Sequence, residues 1–225
     1  IVAPGLVITL TGALAVLATN ETDAVAKAIG TSYSLETSSS NIGAAVGLNV
    51  VTVTNRGSIG AGATITAGSV SITGITPTGA RNDFQTWAIS AAGGRGDASV
   101  AGSVGVQVLQ LVNEAVIGEG SSLTVTGNVG LDASNPMGLQ TLAVSGAFTT
   151  SGTGVGAAIV VQYVDATTRA HIDSSFERPT TIDAGGSIIG RATASLVPLA
   201  APEVPLITLP AFTAVALGAA AAGGD

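Results

Sequence analysis

The chain has a single histidine, His171, and Asp165, Arg169 and Asp173 lie close to it in sequence. An imidazole among carboxylates is the material of general acid–base catalysis. His171, however, takes the position that Val116 and Ser58 hold in two earlier copies of an internal repeat, one residue before an isoleucine at the two earlier positions and before Ile172 here. Strand alternation then turns it outward, where an imidazole is a solvated polar residue. A second arrangement is acidic: Asp165, Asp173, Glu177 and Asp183, with Arg169 and Arg178. If the chain winds in short coils, Asp165 and Asp183 fall on successive coils. Cleavage of a glycosidic bond needs two carboxyls roughly 5 to 9 Å apart. Sugar sites also want exposed aromatic rings, and the local supply is Tyr163 and Phe176 alone. No nucleophile elbow is present. The balance of these residues assigns no catalytic residue, and the expectation is a non-enzyme.

Binding chemistry is equally thin. Calcium asks for oxygen-rich loops, and neither an EF-hand loop nor an acidic nonapeptide repeat occurs. Cysteine is absent, which excludes disulfides, thiolate metal sites and cysteine nucleophiles. No metal or cofactor is expected. Gly93-Gly94-Arg95-Gly96-Asp97 lacks the Lys-Ser/Thr of a phosphate loop. It does contain Arg95-Gly96-Asp97, a tripeptide that some integrins read, and the repeat places it between strands. Asn20-Glu21-Thr22 is a lone glycosylation sequon, with Asn20 as acceptor. The runs Thr52–Thr54, Thr64–Thr66 and Thr124–Thr126 suggest hydroxyl ladders of the kind that bind ice, although threonine is also an ordinary exposed strand residue.

The elements that must carry these residues are strands. The block from Gly47 to Gly60 recurs from Gly105 to Gly118, so that Leu48 matches Val106, Asn55 matches Asn113 and Ile59 matches Ile117, each 58 positions on. Gly68 to Thr73 recurs at Gly127 to Asp132 and at Gly186 to Arg191. A fixed period in the tens of residues signals a stacked, quasi-one-dimensional architecture. Short β-branched runs separated by Gly, Asn, Ser or Pro read as strands. Thr22–Ile29 has helical spacing, but its match to Trp87–Ser90 and Leu142–Ser145 argues for another strand. Three coils nearly fill one such period, and the fold predicted is an all-β parallel β-helix (β-solenoid) with about 19 residues per coil. A β-sandwich or jelly roll is the alternative. Alternation predicts aliphatic ladders inside and Thr, Ser, Asn, Gln and Gly outside. Runs with no polar alternation, such as Ser99 to Val112, predict that one face is covered on both sides, by a second layer, a neighbouring chain or a flat packed sheet.

Composition narrows the class. Apolar residues are 46% of the chain but aromatic ones only 3%, so the core is built from small aliphatic side chains in narrow layers. Charged residues are 9%, the net charge is −7, and one Lys and six Arg form no basic cluster. Nucleic-acid binding needs concentrated positive charge, and none is visible. Disorder needs more charge and fewer apolar residues. The uncharged stretch Ile1 to Ala18 lacks a basic flank and is broken by Pro4, Gly5 and Gly12, so it reads as a buried strand rather than a signal or a membrane span. Leu196 to Ala222 holds four prolines, which argues against a spanning helix. The organisation predicted is one solenoid domain over 1–195 and a Pro/Ala-rich apolar segment over 196–225.

The Gly/Ala-rich run, then Val-x-x-Asn-Val-Val-x-x-x-Asn, then Ile-Gly-x-Gly-Ala-x-Ile-x-Ala-Gly-x-Val-x-Ile resembles the repeat of large bacterial surface adhesins of the filamentous-haemagglutinin and leukotoxin type. Ala44 to Ile72 carries it, Val104 to Leu131 repeats it, and Val155 to Ile189 follows it loosely. The segments 1–40 and 196–225 do not share it. The resemblance implies a secreted β-helical passenger or stalk. The function expected is structural: an extracellular segment of a filament, stalk or adhesin, assembling with identical subunits through the apolar ends, 1–18 or 196–222, and meeting a host surface or glycan. A β-helical polysaccharide-degrading enzyme and a module binding glycan, ice or a receptor are the alternatives.

Overall fold

The computed structural model describes residues 1–37, 39–200, 211 and 213–223. Among them are fourteen strands and no helix. Every pairing among these strands is parallel, and they form three sheets. A short sheet holds β1 (Val7–Thr9), β5 (Thr64–Ala67), β9 (Ser122–Val125) and β12 (Thr181–Ala184). A broken sheet lays β2 (Ala13–Thr19) and β3 (Ala24–Ser34) beside β6 (Ser69–Ile75) and β7 (Asn82–Gly94), then the uninterrupted β10 (Val129–Thr149), then β13 (Ile188–Pro198) and β14 (Ala214–Ala222). A long sheet holds β4 (Ser40–Ile59), β8 (Ala98–Ile117) and β11 (Thr153–Ile172). The chain visits short, broken and long sheets in that order on each of three passes, and the short and broken sheets once more.

The repeat matches seen in the sequence are backbone partners. Leu48 lies beside Val106, Asn55 beside Asn113, Ile59 beside Ile117, and Val129 between Val70 and Ile188. Helical spacing over Thr22–Ile29 gives way to strand β3, in register with Trp87 and Leu142 as the alignment predicted. The expected short coil is corrected by the register: apart from the β10–β14 pairing, paired residues stand 55 to 60 positions apart, as Thr153 with Ala98 and Ala24 with Phe84. The strands are also far longer than the short runs read from the sequence, since β4, β8 and β11 each span 20 residues. Their Gly, Ala and Ser residues are not turns between strands. They are strand interior, and those that point inward, such as Gly43 and Gly47, are kept small by the sheet that faces them.

That facing is uneven across the molecule. Beside the short sheet the interior is wide and holds Ile59, Ile65, Ile72, Ile117, Leu123 and Leu131. Farther along, Phe84, Leu109, Leu111, Met137 and Leu139 fill the space between the broken and long sheets. Towards the connections at 35–37, 95–97 and 150–152 the inward positions shrink to Ala92, Ala101 and Ala147, with Ser90 and Ser103 also buried. The molecule thins there to a blade. Gly43 and Gly30 meet across it: a Cβ on Gly43 would run into the carbonyl of Ala91, and one on Gly30 into the carbonyl of Ala44. Only glycine lets the two backbones approach so closely.

Buried amides tie the sheets together. Asn55 Nδ2 donates to the Ile75 carbonyl at 3.0 Å, and its register partner Asn113 donates to the Ser134 carbonyl at 2.5 Å. Asn49 Nδ2 donates to the Ala24 carbonyl at 3.0 Å. The broken sheet breaks where residues 76–81 leave it. Asn82 closes the gap, donating to Asn135 Oδ1 at 3.2 Å while its own Oδ1 accepts from the Thr22 N–H at 2.8 Å. Pro136, which has no N–H to give, sits in β10 opposite this gap, between the end of the β6 register at Ser134 and the start of the β7 register at Met137. β13 crosses the boundary expected at 195, and β14 resumes pairing on the same strand β10. Within 196–225, residues 201–210, 212, 224 and 225 lie outside the described residues.

Candidate functional site

The candidate catalytic residues are not gathered. His171 stands on the outer side of the long sheet, at the register position of Val116 and Ser58, as the repeat predicted. It is half-buried there rather than fully solvated, and its Nε2 is 3.3 Å from Asp173 Oδ1. Asp165 is on the long sheet beside Gln110, whereas Asp183 is on the short sheet beside Thr124. The expectation that they neighbour each other on successive coils is therefore corrected. Each pass takes in all three sheets, so two residues so close in sequence fall on different sheets, Asp165 on the strand that ends the third pass and Asp183 on the strand that opens the next. Among the described residues no group of three His, Cys, Asp or Glu is placed to hold a metal ion.

The longest charged row among the described residues runs across the long sheet instead. Arg56, Glu114 and Arg169 are side by side on β4, β8 and β11. Glu114 Oε1 accepts from Arg169 Nε at 3.0 Å, and Glu114 Oε2 lies 3.5 Å from Arg56 Nε. The carboxylate is nearly buried between two half-exposed guanidinium groups. This is a cross-strand tie, since each charge is met within the row.

Arg95, Gly96 and Asp97 form the turn between β7 and β8. Arg95 and Asp97 are exposed and Gly96 is buried. The turn does not stand free of its neighbours. The Arg95 N–H donates to the Ser34 carbonyl at 3.1 Å, the Gly96 carbonyl accepts from Thr149 Oγ1 at 2.7 Å, and the Asp97 carbonyl accepts from the Thr153 N–H at 3.0 Å. Asn20 lies half-buried in the connection between β2 and β3, where its Oδ1 accepts from Thr22 Oγ1 at 2.7 Å.

Two outer surfaces are organised by the register. The first is the short sheet. Val7, Thr64, Ser122 and Thr181 form one column across it, and Thr9, Thr66, Thr124 and Asp183 form another. All eight are exposed, and the residues between them, Ile8, Ile65, Leu123 and Ile182, point into the core. Six of the eight positions bear hydroxyls, about 4.8 Å apart along a column and roughly 6.7 Å between columns. Threonine is stiff at χ1, so such a grid is held ready. The sequence pointed to Thr64–Thr66 and to Thr124, but Thr52–Thr54 lies on the long sheet and Thr126 at a turn. Thr9, Ser122 and Thr181 escaped notice because such short strands carry too little periodicity.

The second surface overturns the expected polarity. On the long sheet the outward row positions are Ile42, Val100 and Val155; Ala44, Gly102 and Ala157; Val46, Val104 and Ile159; Leu48, Val106 and Val161; and Val50, Val108 and Tyr163. Ile42 is 70% exposed, Val46 67%, Leu48 60% and Ile159 56%. The inward partners in this half of β4 are Asn41, Gly43, Ala45, Gly47 and Asn49. Aliphatic side chains thus stand outside and small or polar ones inside, because the blade is too thin to hold the larger set. Comparison with protein-family models, curated proteins and solved structures finds no match to this chain.

Proposed function

We propose that this chain is a structural segment of an extracellular filament, stalk or adhesin, built as a parallel β-solenoid in which one sequence repeat makes one winding. The observation that carries this reading is the register: three sheets visited in constant order, with parallel partners 55 to 60 positions apart in every pairing but β10–β14. Such an arrangement is quasi-one-dimensional, each pass being held by its neighbours. Among the described residues β4 and β11 each have one strand neighbour, on β8, and offer a free edge. Free edges of parallel sheets are templates for adding a strand from another chain. The subunit is read as stacking axially on itself, with a glycan or host surface as the further partner.

Negative-stain electron microscopy of purified protein tests the reading. Fibres with a regular axial repeat are expected. Protein that stays monomeric at high concentration, with both ends intact, overturns it.

The hydroxyl columns of the short sheet favour a second reading, a module that holds an ordered lattice of water. A two-dimensional grid of hydroxyls on a backed, regular sheet suits a ligand that repeats in two dimensions, and ice is the simplest. Thermal hysteresis or ice shaping that disappears in Thr66→Tyr together with Thr124→Tyr, with the β-sheet circular-dichroism signal kept, would support it. No effect of the unaltered protein on ice growth would remove it.

A further inference from the structure

We infer that the outer apolar face of the long sheet pairs with the same face of a second copy, laterally and about a two-fold axis. This goes beyond axial stacking: it uses a face, where the function proposed above uses strand edges.

The face is defined by fifteen outward positions on β4, β8 and β11, all of them Ile, Val, Leu, Ala, Gly or Tyr. No bulge or register shift interrupts them. Five alternating rows on three strands cover roughly 30 Å by 14 Å, about 400 Å² of plane and, with side-chain relief, on the order of 700 Å² of accessible surface. Exposed apolar patches on soluble monomers seldom pass a few hundred Å². Two such faces brought together remove on the order of 1,400 Å², within the range of stable specific interfaces.

Shape and area both point to a second copy of this chain as the occupant. The row Ala44, Gly102 and Ala157 is a shallow groove between two rows of larger side chains, and an identical face supplies rows of matching pitch. A two-fold axis that passes over Val104 and crosses the strands reverses strand direction and keeps strand order. It lays the row at Ile42 over the row at Val50. It also carries the edge bearing Arg56, Glu114 and Arg169 over the partner's turn edge, where Glu36, Arg95 and Asp97 stand exposed, so that both edges carry charges of both signs.

The opposite face of the blade is less suited. There Lys27 Nζ covers Trp87 at 3.8 Å from the ring centroid, and Trp87 Nε1 donates to Gln140 Oε1 at 2.7 Å. Phe148 folds over Gly93 towards Tyr33, with ring centroids 6.4 Å apart. Those side chains break the plane and put a charge on it, although Val25, Ile29 and Tyr33 stay exposed there.

The test exploits a chain without cysteine. Val104→Cys, at the centre of the face, is expected to cross-link to itself with a short bismaleimide, whereas Val25→Cys on the opposite face is not. Axial stacking does not bring Val104 near its own copy, so this readout separates the two modes. In sedimentation equilibrium, Leu48→Lys with Val161→Lys is expected to weaken the pair by about 100-fold or more, since both sites are exposed and each lysine would be pressed onto the partner's Ala44–Gly102–Ala157 row with no counter-charge. The proposal is overturned if Val104→Cys fails to cross-link at concentrations where the chain associates, if the lysine variant associates as before, or if the protein is monomeric. A monomer that floats with phosphatidylcholine vesicles would likewise overturn it and assign the face to lipid.

Discussion

At the residue scale the most consequential side chain is Glu114. It is nearly buried, and its carboxylate is held between Arg56 and Arg169 on the flanking strands. Glu114→Gln removes the charge while keeping the shape. Two half-exposed guanidinium groups then face each other across a neutral amide. The expected loss is about 1–2 kcal/mol, less than for a fully buried pair because both arginines keep much of their hydration. Urea unfolding checks it, with a second signature: raising salt should narrow the gap between the two proteins. The sequence made the outward placement of His171 legible at this scale, because a repeat position and an alternation rule are local facts. It did not make Glu114 legible. One arginine comes from the winding before and the other from the winding after, and only the register aligns all three.

At the element scale the distance between sheets governs what each strand accepts. Gly43 and Gly102 are both glycines on strands of the long sheet, one facing in and one facing out. A Cβ at Gly43 meets the Ala91 carbonyl, whereas a Cβ at Gly102 meets nothing within 4 Å. Gly43→Val is expected to cost about 3 kcal/mol or more by forcing the sheets apart. Gly102→Val should be neutral or slightly stabilising, since valine suits an exposed strand better than glycine. A matched pair of denaturation curves decides it. The same distance explains the polarity error. The sequence marks Val50–Val53 within β4 as a strand, and hydrophobicity alone turns the aliphatic phase inward; the thin blade reverses that phase.

At the scale of the whole molecule, stacking and pairing make different demands. The three strands of the long sheet, about 4.8 Å apart, give each copy an axial rise of roughly 14 Å, which is the repeat expected along a fibre formed by adding the β4 edge of one copy to the β11 edge of the next. Lateral pairing through the long sheet would double the fibre's width without altering that repeat, so electron microscopy reads both. The sequence by itself determined that the chain is built of strands, that it repeats at one long and nearly constant period, and which residues of one pass match those of the next. Those facts follow from side-chain periodicity and self-similarity, which are written along the chain. It took the fold to show that paired strands lie a whole repeat apart rather than a third of one, and therefore that Asp165 and Asp183 lie on different sheets. Only it decided that Ile42, Val46 and Leu48 face outward. The physical reason is the same in each case. Pairing between passes and the gap between sheets are set by backbones far apart in sequence, and no local pattern records how closely they approach.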